Sequence, residues 1–213
     1  MELKQFIKIR PHIYHLTDKR NLDSILSTGK LLSTKRLVAA ADLKSKKEFL
    51  TTRRKDHEVI TAGGVQYYIR DQRPLSLKIL DGCLDKGVSK EDFISYLNSK
   101  VFMWGKMAGL ESHYARYIAQ DENPIILRFN TEEVFSLNKE PKFTRLNSGA
   151  PRSSSYLGGK GSPRGLSTFE SAIDYSSSAG TINEVVFDEQ CVLPETIYLG
   201  YKPQGPFKNV INK

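Results

Sequence analysis

The sequence predicts an α+β fold, and three observations lead there. Short strand-like segments are interleaved irregularly with helical ones. No regular strand–helix–strand alternation of the kind that builds a doubly wound parallel sheet is present, and no internal repeat. The 213 residues are 39% hydrophobic and 26% charged, enough apolar content for a core without disulfide staples. One domain over 1–213 is the expectation.

The elements follow from periodicity and punctuation. Alternation opens at Phe6, Ile7 and Ile9, Pro11 interrupts it, and Ile13, Tyr14 and Leu16 predict a short strand over 13–16. Thr17 or Asp18 then caps a helix carrying Leu22, Ile25 and Leu26, which Gly29 ends. Residues 37–55 are polar, basic and partly helical. Val59, Ile60, Val65, Tyr67 and Ile69 predict short strands around Gly63-Gly64. Residues 75–80 read as helix or strand. Ser89 caps a helix over 89–99, with Phe93, Tyr96 and Leu97 on one face. A strand over 101–104, a helix over 109–119, a turn at Asn123-Pro124 and a buried strand over 124–130 come next. Strands over 184–187 and 197–199 close the series.

Residues 148–180 differ. Ser153-Ser154-Ser155, Gly158-Gly159-Lys160-Gly161 and Ser176-Ser177-Ser178 are loop composition with little to bury. A loop this long predicts a functional or mobile segment, here one that faces substrate.

Composition excludes several classes. No apolar run approaches the ~20 residues of a membrane span, and 1–6 lack an apolar leader core. Only Cys83 and Cys191 are present, as expected for a reducing, cytoplasmic compartment rather than a disulfide scaffold. The four histidines show no zinc-type spacing, so no metal is expected. The formal charge is +8, and it is asymmetric. Residues 1–100 hold 20 Lys/Arg against 12 Asp/Glu, whereas 101–213 hold 12 of each. The excess is densest over 30–55 and points to a polyanion partner, with a solvated helix face as the plain alternative.

Four sets of residues can carry chemistry. His15 ends a buried strand before a turn, where its ring can bond a ribose hydroxyl. Glu184 opens an apolar strand, and a carboxylate there is costly to desolvate. It can hold a ribose 2′-hydroxyl and stabilise positive charge on the sugar. Arg53-Arg54 and Arg70-Asp71-Gln72-Arg73 are candidate anion clamps. Phe102, Trp104 and Tyr114 are core aromatics or platforms for a flat ring. Gly158–Gly165 has neither Walker nor dinucleotide-fold spacing.

Their order adds a resemblance. Tyr14-His15-Leu16-Thr17, then Asn21-Leu22 and Ile25-Leu26-x-x-Gly29, resembles the opening of DarT-type ADP-ribosyltransferases. Arg53-Arg54 lies where that family carries a pocket arginine. Val101-Phe102 is similar to the start of its central strand. Asn183-Glu184-Val185-Val186-Phe187 with Leu193-Pro194-Glu195 looks like its catalytic-glutamate strand and following turn. One stretch departs: the family's Thr-Asp-x-His after the Val-Phe strand reads Met103-Trp104-Gly105-Lys106 here. Lys106 stands near the place of the helper histidine, and His113 is the nearest histidine.

The resemblance implies a split ADP-ribosyltransferase sheet with NAD, as substrate, in a central cleft and no metal. Glu184 would be catalytic, with Arg54 or Arg53 on the diphosphate. His15 would hold one of the two riboses, the backbone at Leu16 the carboxamide, and Thr17, Asn21, Phe102 and Trp104 would complete the cofactor site. The 148–180 loop would present the acceptor, with Arg152, Lys160 and Arg164 on its phosphates. It further implies a toxin used against phage, acting on DNA or RNA and held by an antitoxin. Three alternatives stay open: a protein acceptor, an RNA 2′-phosphotransferase of the same fold, and a non-catalytic basic nucleic-acid-binding module.

Overall fold

The chain is described here from a computed structural model over residues 3–211. Met1 and Glu2, the start of the stretch read above for a leader, lie outside the described residues. The fold is α+β, built on an antiparallel sheet of eight strands.

The opening segment is a helix, α1 (Leu3–Ile9), not the start of a strand. Its one buried side chain, Phe6, packs between Phe135 and Phe143. Pro11 separates it from β1 (His12–Asp18). Helix α2 (Leu22–Thr28) ends at Gly29, whose φ of 61° and N–H bond to Ile25 O make the left-handed cap. Next come β2 (Lys30–Leu32), α3 (Thr34–Ala40) and α4 (Lys46–Thr51). The hairpin of β3 (Glu58–Ala62) and β4 (Val65–Ile69) turns on Gly63 and Gly64. Both have positive φ, the geometry of a tight primed turn. Helix α5 (Leu77–Asp81) precedes α6 (Lys90–Asn98), which Ser89 and Asp92 start with a full capping box.

Strand β5 (Lys100–Trp104), helix α7 (Met107–Ile118) and strand β6 (Pro124–Asn130) follow as predicted within a residue or two. Sequence periodicity did not reveal α8 (Thr131–Leu137), β7 (Lys142–Thr144), β8 (Glu170–Ser171), β10 (Gln190–Val192) or β12 (Lys208–Ile211). The strands β9 (Glu184–Asp188) and β11 (Thr196–Gly200) were legible.

The sheet order is β12-β11-β6-β1-β5-β9-β7-β8. Strand β1 pairs with β6 from His12↔Asn130 to Asp18↔Pro124. Strand β5 pairs with β9 from Lys100↔Asp188 to Trp104↔Glu184. Between these halves, among the described residues, β1 and β5 register only at Tyr14↔Trp104. The two halves of the eight-stranded sheet are therefore joined through one registered pair, and the sheet parts along its middle.

Side-chain parity then assigns the two faces. Ile125, Leu127, Val101, Met103, Val185 and Phe187 join the main core on one face. Leu16, Ile126, Trp104 and Val186 point to the other, against α6 and α7. Gly109 lets α7 approach. A Cβ there would lie 2.6 Å from Trp104 and 2.7 Å from Asn183 Oδ1.

The 148–180 segment corrects an expectation. It inserts Phe169, Ala172, Tyr175 and Ala179 into the cores, so it is packed wall and not a loop with little to bury. Its Ser/Gly content hid four apolar anchors. Among the described residues no helix is long and apolar enough to cross a membrane.

Candidate functional site

A cavity of about 340 Å³ opens where the sheet parts, within the roughly 300–1,000 Å³ typical of small-molecule sites. Both His15 and Glu184 line it.

Glu184 is the first residue of β9 and is 4% exposed. Its Oε2 accepts from Ser148 Oγ at 2.7 Å, and the Ser148 N–H lies 3.3 Å from both oxygens. Burial pushes its carboxyl up to about 7, and the Ser148 bonds and nearby Arg164 only partly oppose this. The group thus changes charge near neutrality.

His15 stands at the parting. Its Nδ1 lies 2.9 Å from Phe102 O. A carbonyl only accepts, so Nδ1 carries the proton and Nε2 keeps a lone pair. Burial holds the imidazole neutral by lowering its basicity. Leu16, Thr17, Phe102 and Trp104 line the same cavity.

The structure separates the two candidate arginines. Arg54 lines the cavity, with Nη1 donating to Asn98 Oδ1 at 3.0 Å and Nε to Arg70 O at 3.3 Å. Burial lowers its basicity to about 10, which leaves it a cation at neutral pH. Arg53 faces away and donates to Leu75 O.

Asn21 lines the cavity, but its amide is committed. Nδ2 donates to Tyr68 O at 2.9 Å and to Thr17 Oγ1 at 3.1 Å, while Oδ1 accepts from Tyr68 N at 2.9 Å. It pins β4 over the cavity, a positioning role that the sequence did not suggest. Arg164 is likewise no acceptor contact. It is 3% exposed and donates to Ser148, Ser162 and Asn147 carbonyls, bracing the loop that holds Glu184. Arg152 is exposed and close enough to the cavity residue Arg116 to weaken its basicity. Lys160 is exposed and lies outside the cavity lining.

Sequence reasoning missed Ser148, which lies 36 residues before its partner Glu184. It also missed a charged group on the hairpin side. There His57 Nε2 lies 2.9 Å from Asp71 Oδ2 and 3.5 Å from Glu122 Oε1. Arg70 meets Glu122 at 3.2 Å and lies over the Tyr117 ring at 3.3 Å. Of the predicted clamp Arg70-Asp71-Gln72-Arg73, the first three residues line the cavity, whereas Arg73 pairs with Asp56 at the surface. His113 packs at a tilt against Trp104 with centroids 5.3 Å apart, and burial with Arg70 and Arg116 lowers its pKa to about 3.

Residues 11–193 match the family described as a family of unknown function, DUF7002, and the chain belongs to that family. No curated protein and no solved structure matches the chain.

Proposed function

We propose that this DUF7002 member is an NAD-dependent ADP-ribosyltransferase that modifies nucleic acid, the activity its resemblance to DarT-type enzymes implies. The observation that carries the reading is that His15 and Glu184 share one cavity at the parting of the sheet. They lie 169 positions apart in sequence and come from different halves of the sheet.

The site's residues suit that chemistry. Ionised Glu184 can accept from the 2′-hydroxyl of the nicotinamide ribose. That bond strengthens as the glycosidic bond breaks and positive charge grows on the sugar, the differential stabilisation that catalysis needs. Ser148 fixes both carboxylate oxygens in place. His15 Nε2 can accept from a ribose hydroxyl. The β1 edge beyond Tyr14 has no β5 partner in register, so its main chain is open to a carboxamide. Trp104 offers a flat ring, and Arg54 a cation for the diphosphate. The exposed Lys35, Arg36, Lys44, Lys46 and Lys47 supply a surface for a nucleic-acid backbone. In this reading the protein is a cytoplasmic toxin restrained by an antitoxin.

The test is incubation with labelled NAD and single-stranded DNA, RNA or bulk protein. The expected result is label on nucleic acid, removed by nuclease and not by protease. Glu184→Gln should lower transfer by about 1,000-fold, as loss of a group acting on developing charge does. Label on no acceptor, or equal labelling by the variant, sinks the proposal. Label lost to protease moves it to a protein acceptor. Exclusive use of 2′-phosphorylated RNA moves it to a phosphotransferase.

A further inference from the structure

The groups assigned so far act on the donor. None of them removes a proton from the acceptor. Lys106, at the place of the resembling family's helper histidine, does not line the cavity. His113 does, but with a pKa of about 3 it is a poor base.

His57 has the missing arrangement. Its imidazole is 36% exposed and lines the cavity, while the Asp71 side chain is 1% exposed. Asp71 is fixed in turn, because its Oδ1 accepts from Arg73 N at 2.7 Å. In the neutral dyad Nε2–H donates to the Asp71 carboxylate, which leaves Nδ1 with a free lone pair. A buried carboxylate that orients an accessible imidazole and stabilises its protonated form is the base–orienter geometry of acyl-transfer triads.

The surroundings of the pair are Glu122, Arg70 and Asp18. Arg70 Nε lies 3.7 Å from Asp71 Oδ2, and Nη2 lies 3.2 Å from Glu122 Oε1. Asp18, which pairs with Arg20 at 2.6 Å, lines the same cavity. His57, Asp71 and Glu122 also bring three ligand-type atoms within 4.8 Å of one another. The Arg70 guanidinium lies within 3.7 Å of both carboxylates, so a divalent cation would have to sit against that positive charge. That favours a proton-handling role over metal binding.

We infer that the His57–Asp71 dyad is the general base that activates the nucleophile of the acceptor, and this rests on the transferase reading above. As the acceptor atom forms its bond to ribose C1′, the bond from C1′ to the nicotinamide nitrogen breaks. Nicotinamide departs neutral with that electron pair. The acceptor's proton passes to Nδ1 of His57 and then to solvent, with no change of oxidation state.

The experiment compares wild type, His57→Gln, His57→Ala and Asp71→Asn, and reads nicotinamide release and acceptor labelling together. The expected result is a fall of about 100-fold in label per nicotinamide released for His57→Gln, the scale of a lost general base. Imidazole should restore labelling by His57→Ala, because the vacated site is open to solvent. A purely structural histidine would not be rescued in this way. An unchanged ratio in His57→Gln overturns the inference while leaving the transferase standing. Equal loss of both signals without imidazole rescue, or abolition of labelling by a chelator, also overturns it. A wild type that releases no nicotinamide and labels nothing removes the transferase reading, and the dyad's role with it.

Discussion

The cavity has two unlike walls. On the sheet wall, Glu184 is buried with a serine as its direct hydrogen-bond partner, and its charge is poorly compensated. On the hairpin wall, Asp71 and Glu122 both lie beside the Arg70 guanidinium, at 3.7 and 3.2 Å, and beside the His57 ring, at 2.9 and 3.5 Å. The carboxyl on the first wall is poised near neutrality, whereas the second wall is a structural network with one ring nitrogen free. A buried carboxylate facing a hydroxyl is strained toward a task, while one facing a guanidinium is first of all a brace.

The largest stability effect expected from this contrast is at Arg70. Its removal leaves two carboxylates uncompensated and strips the cation from the Tyr117 face. Arg70→Ala should cost about 3 kcal/mol or more, read as a shifted urea midpoint. A shift near zero would mean that the hairpin wall is not held by charge.

The opposite sign is expected at Glu184. Its folded pKa is about 7 against 4.5 as the ordinary value. Between these pH values the native state keeps a proton that the unfolded chain has released, so stability falls as pH rises through that window. Glu184→Gln should therefore raise stability above pH 7 by on the order of 3 kcal/mol and leave it unchanged near pH 4. Thermal melts at the two pH values check this. Equal effects at both would mean that the carboxyl is not desolvated. The same variant should lose transfer activity, which separates the group's task from its cost to the fold.

The smallest effect is at Asn21. Asn21→Ala removes its bonds to the Tyr68 backbone and to Thr17, and should cost roughly 1–2 kcal/mol. Hydrogen exchange should speed up across β4 and not across β9. Faster exchange on both strands would show that the two walls do not move independently.

Much of the frame was legible. Gly29, Ser89 and the Gly63-Gly64 pair marked a helix end, a helix start and a turn, because each acts on the backbone within a few residues. The buried runs of β6 and β9 were legible because their apolar residues are contiguous. Helix α1 was misread because its apolar residues also alternate over a short span. The 148–180 wall was missed because serine and glycine surround its anchors. At the site, Glu184 and His15 stood out by their places at the ends of apolar strands and by a resemblance to known motifs, and Asp71 only as a neighbour in a candidate anion clamp, while Ser148 and the inward choice of Arg54 carried no local signal.

By itself the sequence determined the local elements, the lopsided charge and the residue types that can handle a ribose and an anion. These depend on backbone preferences and on solvation, which act over short range. Only the tertiary structure decided that β1 and β5 part after one pair. It alone set Glu184 against Ser148, turned Arg54 rather than Arg53 inward, and closed His57 onto Asp71. Those contacts join residues brought together by strand pairing and core burial, and the balance of charge and desolvation that tunes each group exists only once they meet.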